Sequence, residues 1–378
     1  MSRYPGSLHN HSHFSNQTLR DCINTVESLM DLAVELGHEC VALTDHETIS
    51  GYIKAEKYYK KIKEKNPDFK LIRGNEIYLT RNGLTAKNYD KTKDRYFHFI
   101  LLAKDLEGYK QICQLSTRAW QRSYISRRQR RRPTYYQDLK DIVKPNQGHL
   151  IASSACLGSQ LDKFLLRYMD TGDEEFYITA RRWCEYIEDI FGSGNFFLEL
   201  QPSDNKEQIF VNKQLIRLSE ELGIKYIITT DSHYGRPEDA KVHEAFLNAQ
   251  DGDREVKSFY ATTYMMNDEE IRGYLPYLTN EQIEAAYKSI RRIKDMCEDF
   301  SILKPLKIPS LPWREVPTAS LDEINWAEEH IPAIEHFYTS EHLSDNVLVD
   351  ALIDGIKRHE DLQNEEAYKA LNECLEMT

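Results

Sequence analysis

In 378 residues the chain never strings together more than about five apolar side chains, the longest run being Phe99–Ala103. A membrane span needs roughly 20, so none is expected. The opening MSRYPGSLHNHSHF has no charged segment followed by an apolar one, and is read as carrying no signal peptide. Seven cysteines, an odd number, include no CxxC pair. This argues against a disulfide scaffold or a zinc ribbon and fits a reducing cytoplasm. No GxxxxGK(S/T) loop is present to cradle a nucleotide and no GxSxG elbow to raise a serine nucleophile. Gly192 and Gly194 make only a turn.

Basic excess is also missing, with a net charge of −12, but the acid is concentrated at one end. Residues 315–378 hold 16 of the 61 acidic residues and 3 of the 49 basic ones, which leaves 45 acids against 46 bases in 1–314. A nucleic-acid partner is therefore discouraged by the tail alone. Two domains are expected: 1–312, and an acidic helical segment 313–378 reached through an extended linker, Ile308-Pro309-Ser310-Leu311-Pro312.

Within the first domain strands and helices alternate. Helical apolar spacing marks 25–36, stopped by Gly37, and further helices are expected near 50–65, from 105 toward Trp120, and over 159–169, 174–190 and 206–222, the last closed by Gly223. Strands are expected around 40–44, 71–79, 96–103, 150–153, 196–200 and 225–230. With the His-x-His segment they make seven, and the alternation predicts a parallel sheet closing like a barrel, one strand short of eight. Between Ser116 and Tyr136 lies an arginine-rich insertion with Arg118, Arg122, Arg127, Arg128, Arg130, Arg131 and Arg132 among Trp120, Tyr124, Tyr135 and Tyr136. It reads either as an exposed loop or as a clamp on phosphates, with aromatics for stacking bases.

The chemistry-bearing residues sit at strand ends. His9 and His11 in SLHNHS are two apart, which on a strand puts both imidazoles on one side. Asp45 and His46 in VALTDHE, Glu76 in RGNEIYL, His98 in YFHFILLA, Cys156 in IASSACLG, and Asp231 and His233 in YIITTDSHY follow. Imidazole, carboxylate and one thiol suit Zn²⁺, Mn²⁺ or Fe²⁺, and so many ligands require more than one ion. Neighbouring divalent ions activate water and offset charge on a transferred phosphoryl group, so hydrolysis of phosphate esters is the expected chemistry.

With LHNHSHFS, LTDHETISG, GNEIYL, HFILLAKD, SACLG, FFLELQ and TTDSHY in this order, the sequence resembles the PHP (polymerase and histidinol phosphatase) superfamily over residues 4–312. More narrowly it is similar to the N-terminal part of bacterial or phage DNA polymerase III alpha subunits. The resemblance implies a distorted (β/α)7 TIM-like barrel with a trinuclear metal site. It places one metal on His9, His11, Glu76 and Asp231, and a second, bridged by Glu76, on His98 and Cys156. A third falls to Asp21, His46 and His233, with Asn16–Leu19 as extra residues before Asp21. Asp45 and Glu199 would support these ligands, and His9, His11, Glu76, Asp231 and His233 would carry catalysis. Arg127, Arg128, Arg130, Arg131 and Arg132 would bind DNA. The implied activity is 3′→5′ exonuclease action beside a replicative polymerase, with DNA, other polymerase segments and replisome proteins as partners. The alternatives are a silent metal-binding scaffold and a free-standing phosphatase for small phosphomonoesters. The Gly-Ser motif and aspartate cluster of a polymerase palm do not occur, so no DNA synthesis is expected of this chain.

Overall fold

The computed structural model describes residues 3–90, 93–126, 129–251, 260–305, 319–339 and 343–377. The chain forms two compact units, Met1–Lys304 and Pro305–Thr378. The boundary expected near 312, and the linker 308–312 with it, lie outside the described residues.

The first unit is an α/β barrel-type sheet with helices on the outside. Its strands are β1 (Cys40–Leu43), β2 (Lys70–Thr80), β3 (Phe97–Ala103), β4 (Tyr124–Ser126), β5 (Gln129–Arg131), β6 (Thr134–Tyr135), β7 (Leu150–Ser153), β8 (Phe196–Leu200) and β9 (Tyr226–Ile228). The main order is β1-β2-β3-β7-β8-β9, with β6 added to β2 and β4-β5 a separate ribbon. The His-x-His segment closes the ring without being a regular strand. On one side the amides of Ala42 and Thr44 donate to the carbonyls of Ser7 and Asn10 (2.9 and 3.0 Å). On the other, His11 N donates to Ser232 O (2.9 Å) and Ser232 N to His9 O (3.3 Å). Tight packing fixes this segment, since a Cβ on Gly6 would stand 2.0 Å from the Cys40 carbonyl oxygen.

The sheet is not wholly parallel, contrary to the expectation from strand–helix alternation. β3 runs antiparallel to both β2 and β7, whereas β1/β2, β7/β8 and β8/β9 are parallel. The cause lies in the connections. Helices Tyr52–Lys65, Glu174–Phe191 and Lys206–Leu222 carry parallel crossovers, but the described residues between β2 and β3, 81–90 and 93–96, include no helix, and without a crossover element the next strand must turn back. Reversal brings the start of β3, with His98, to the end of the sheet where the other strands finish.

The core lies between the sheet and its helices. Phe99 of β3, for example, packs against Trp183, Phe191 and Phe196 with ring centroids 6.0, 5.8 and 6.5 Å away. Gly172 and Gly223 end their helices in the left-handed conformation, φ 68° and 71°, as side-chain-free C-caps do.

The second unit is helical, with Leu321–His330, Ile334–Tyr338, Leu343–Arg358 and Glu365–Glu376 around Ala327, Ile334, Val349 and Ile353. The first of these helices stops at His330, because Pro332 can neither donate an amide nor let Ile331 stay helical.

Candidate metal centre

Residues from seven separate stretches meet inside the rim of the first unit. His9, His11, Asp21, His46, Glu76, Cys156, Asp231 and His233 are all buried, and only the His98 side chain, 22% exposed, reaches the surface. Three donor groups form, each with its atoms within 4.8 Å of one another: His9, His11 and Asp231; Glu76, His98 and Cys156; and His11, His46 and His233. Asp21 joins the last group, its Oδ2 lying 3.4 Å from the Nε2 of both His46 and His233. The extra residues before Asp21 are absorbed by a 3₁₀ turn, His13–Gln17.

Glu76 touches all three groups. Its Oε1 is 3.3 Å from His9 Nε2 and 3.0 Å from His98 Nδ1, and its Oε2 is 3.6 Å from His11 Nε2 and in close contact with His46 Nδ1. Asp231 Oδ1 stands 3.1 Å from both His9 Nε2 and His11 Nε2. Cys156 Sγ is 3.4 Å from His98 Nδ1.

The imidazoles are aimed by what lies behind them. Glu199 on β8 meets His9 Nδ1 at 2.6 Å while taking hydrogen bonds from Ser153 and Thr229 (both 2.5 Å). This fixes the tautomer that turns Nε2 inward. Asp45 works at one remove. It accepts from Ser12 N (2.6 Å) and Ser15 Oγ (2.8 Å), and Ser15 Oγ lies 3.0 Å from His11 Nδ1. The hydroxyl has one proton to give and gives it to Asp45, so it accepts from His11 Nδ1–H and leaves His11 Nε2 as a free donor atom toward the cluster.

Among the described residues, Glu76 Oε1 and Oε2, Asp231 Oδ1, Asp21 Oδ1 and both ring nitrogens of His46 are buried with no hydrogen-bond partner. Buried polar atoms are ordinarily paired, and buried charge must be compensated. Protons fill part of that need. Burial alone would lower His9, His46 and His233, but Asp231 and Glu199 (His9), Glu76 and Asp21 (His46), and Asp21 and Asp231 (His233) hold all three above the usual imidazole range. Burial, with His46 and His233 nearby, instead drops His11 to about 3. Burial would raise Asp21 and Glu76, yet the imidazoles around them keep both well below ordinary carboxylates. The Cys156 thiol is raised by burial and by Asp231 and Glu76. An array of acids, imidazoles and a thiol that needs positive charge to be stable is suited to divalent cations.

Backbone strain clusters at the same place. Among the described residues, the non-glycine ones with positive φ are Glu47 (51°), Ala155 (61°) and Asp231 (49°), and each either belongs to the donor set or adjoins a member of it. Such residues cost about 1–3 kcal/mol apiece and persist where surrounding structure demands them. Nothing in the sequence marks them.

Several contributors escape sequence reading. Besides Ser15, Tyr260 donates to Asp21 Oδ2 at 3.1 Å. His243 is buried and hydrogen-bonds the Asp21 carbonyl oxygen. A Ser four residues past an HxH would have been a reasonable flag; Tyr260 and His243, more than two hundred positions from Asp21, leave no local signal.

The arginine segment differs from its expected form. It comprises the end of helix Leu106–Gln121, the β4-β5 ribbon and β6. Arg127 and Arg128 lie outside the described residues. Arg130 is exposed, and the Arg131 guanidinium lies 5.1 Å from the Tyr96 ring centre. Arg132, expected to grip DNA, is instead only 2% exposed. It stacks 3.9 Å over Trp120, donates to Gln17 O at 3.2 Å and hydrogen-bonds the Thr18 hydroxyl. It lies just past β5, at the start of a buried stretch with Pro133 and Thr134, where it pins the loop leading to Asp21. The aromatics are engaged too, Tyr135 beneath Arg122 (4.3 Å) and Tyr136 with Trp183 (2.8 Å).

An α/β barrel-type sheet carrying a buried imidazole–carboxylate–thiol cluster defines a domain built for divalent cations. The chain matches the PHP domain family over residues 7–203, and it belongs to that family. It is 35% identical to the probable DNA polymerase YorL of Bacillus subtilis over 379 residues, 96% of this chain and 29% of that protein. To the DNA polymerase III subunit alpha of Borreliella burgdorferi it is 29% identical over 320 residues, 82% of this chain and 25% of the other. The chain thus spans less than a third of the length of these relatives. Among solved structures, an amidohydrolase from Chromobacterium violaceum is similar with a TM-score of 0.32 at 13% identity, covering 61% of this chain and 87% of that one. No described helix is long and apolar enough to cross a membrane.

Proposed function

We propose that the chain is a metal-dependent phosphodiesterase that removes nucleotides from the 3′ end of DNA, in the setting of a replicative polymerase. The observation that carries the reading is Glu76, one buried carboxylate with both oxygens lacking a hydrogen-bond partner, grouped with His98 and Cys156 and in contact with His9, His11 and His46 of the other two donor groups. His9, His11, Glu76 and Asp231 would hold one ion, Glu76 with His98 and Cys156 a second, and Asp21, His46 and His233 a third, as Zn²⁺, Mn²⁺ or Fe²⁺. When bound, such ions supply a water acidic enough to attack at neutral pH and offset the charge on the phosphoryl oxygens. Glu199 and the Ser15–Asp45 pair keep His9 and His11 in the tautomers that face the cluster. Burial of all but His98 keeps bulk water away from the ligands and leaves one open side, where a phosphate can approach.

The polymerase relatives support DNA as substrate, and the exposed basic ribbon supplies cations for its backbone. The experiment is to reconstitute the chain with Mn²⁺ or Zn²⁺ and offer 3′-labelled single-stranded DNA and a mismatched primer, beside p-nitrophenyl phosphate. Nucleotide release that His9→Ala or Asp231→Asn abolishes is expected. Metal uptake without hydrolysis of either DNA would overturn the reading in favour of a scaffold, and hydrolysis of p-nitrophenyl phosphate alone in favour of a small-molecule phosphatase.

A further inference from the structure

A cleft of about 330 Å³ opens among the turns that follow β7 and β8 and residues 262–263. It shares its wall with the metal centre at four points. Gly158 O accepts from His98 N at 3.2 Å, and a Cβ on Gly158 would stand 3.0 Å from the His98 ring. Thr263 O accepts from His233 N at 2.8 Å. Thr230 immediately precedes Asp231, its hydroxyl 2.7 Å from that of Ser232. Gln201 Nε2 lies 3.5 Å from the Glu199 oxygen that orients His9.

The lining is of one chemical kind. Gln201, Ser203, Asn205 and Gln208 present uncharged hydrogen-bonding groups beside the apolar faces of Leu166 and Pro202, and the only charged side chains, Lys163 and Glu207, cancel. Such a wall suits the polar edges and flat face of a nucleoside and offers nothing to a second or third phosphate. Ligand pockets run from about 300 to 1,000 Å³, so this one holds a single nucleoside and not two. It also lies on a different arc of the rim from the basic ribbon. The cleft is bounded by the turns beyond β7, β8 and β9, whereas the ribbon is tied in through β6 beside the end of β2.

Resting on the reading of the site as a DNA phosphodiesterase, we infer that this cleft seats the terminal nucleoside, so that the scissile bond lies one nucleotide from the 3′ end and the product is a nucleoside 5′-monophosphate. The water oxygen bonds to phosphorus, the P–O3′ bond to the penultimate nucleotide breaks, and one proton of the water ends on the departing 3′ oxygen. The shortened strand leaves along the ribbon side and the mononucleotide from the cleft.

The test measures binding of thymidine 5′-monophosphate and inorganic phosphate to the full chain with Mn²⁺ by calorimetry, for wild type, Ser203→Trp and Leu166→Trp. Thermal unfolding checks that both variants fold. The expected result is nucleotide bound at least about tenfold more tightly than phosphate, with both indoles removing that preference and lowering mononucleotide release from DNA in proportion. Equal affinity for the two ligands in wild type, or a preference that survives in both folded variants, overturns the inference. Nucleotide preference abolished by the indoles in a chain that hydrolyses no DNA keeps the cleft and discards the phosphodiesterase.

Discussion

The candidate metal centre and the arginine ribbon lie on one rim and are built on opposite principles. The centre is assembled from distant parts of the chain, and almost all of it is buried. The ribbon is local in sequence and largely solvated, with Ile125 68% exposed at its outer side. In the first, identity and position of each residue are set together, because a buried carboxylate without a counter-charge is not tolerated. In the second, identical residue types have unrelated roles: Arg130 faces solvent while Arg132, two residues on, is a buried brace. Residue type at a strand end is therefore informative, and residue type in a basic run is not.

The sharpest way to break that contrast is Glu76→Gln. Because Glu76 belongs to one donor group and contacts histidines of the other two, the variant is expected to lose nearly all bound metal and hydrolysis, by a factor of about 10³ or more if its charge acts on every ion. Retention of full metal content, measured by mass spectrometry, would separate the groups from one another. Next in size, Arg132→Ala should cost about 2–3 kcal/mol in denaturant unfolding, since it removes a stacked cation and two hydrogen bonds from the interior. A loss of DNA affinity without loss of stability would return Arg132 to the surface class.

Glu199→Gln should weaken metal binding by about 10–100-fold with little effect on the fold, as changes behind a metal-ligating imidazole do. Unchanged affinity would mean that His9 needs no support. Arg130→Ser should shift stability by less than about 0.5 kcal/mol and lower the slope of DNA binding against log salt by roughly one phosphate contact. An unaltered slope would remove Arg130 from the interface.

Proton occupancy separates the two regions again. Held above the usual imidazole range by neighbouring carboxylates despite burial, His9, His46 and His233 lend the metal-free fold stability. That stability is fully present below about pH 6.5 and is lost as pH rises through their higher folded values. The melting temperature of metal-free chain should thus fall as pH rises above about 6.5, and divalent metal, which replaces those protons, should flatten the curve. A flat metal-free profile would contradict this.

Much of this was legible in the sequence, for identifiable reasons. His9 and His11 show their shared direction through a spacing of two, and helix ends such as Gly223 announce themselves. The barrel class follows from strand and helix alternation, but the direction of β3 does not, because it is set by a connection with no helix among its described residues, 81–90 and 93–96. Asp21 is the hardest donor to place, because an insertion separates it from the histidine motif and the end of the turn that absorbs it is held by Arg132, more than a hundred positions away. The strained residues Glu47, Ala155 and Asp231 could not have been found, since their φ angles are imposed by tertiary packing and not by local preference. A run of like charges hides which member faces inward, here Arg132.

The central claim is that side chains from across two hundred residues form one cation-holding pocket centred on Glu76. Metal content of the purified, reconstituted chain, counted per molecule for wild type and Glu76→Gln, tests it most directly. About two to three divalent ions in wild type, falling below one in the variant, is the predicted result. Fewer than one ion in wild type, or the same number in both, would contradict it.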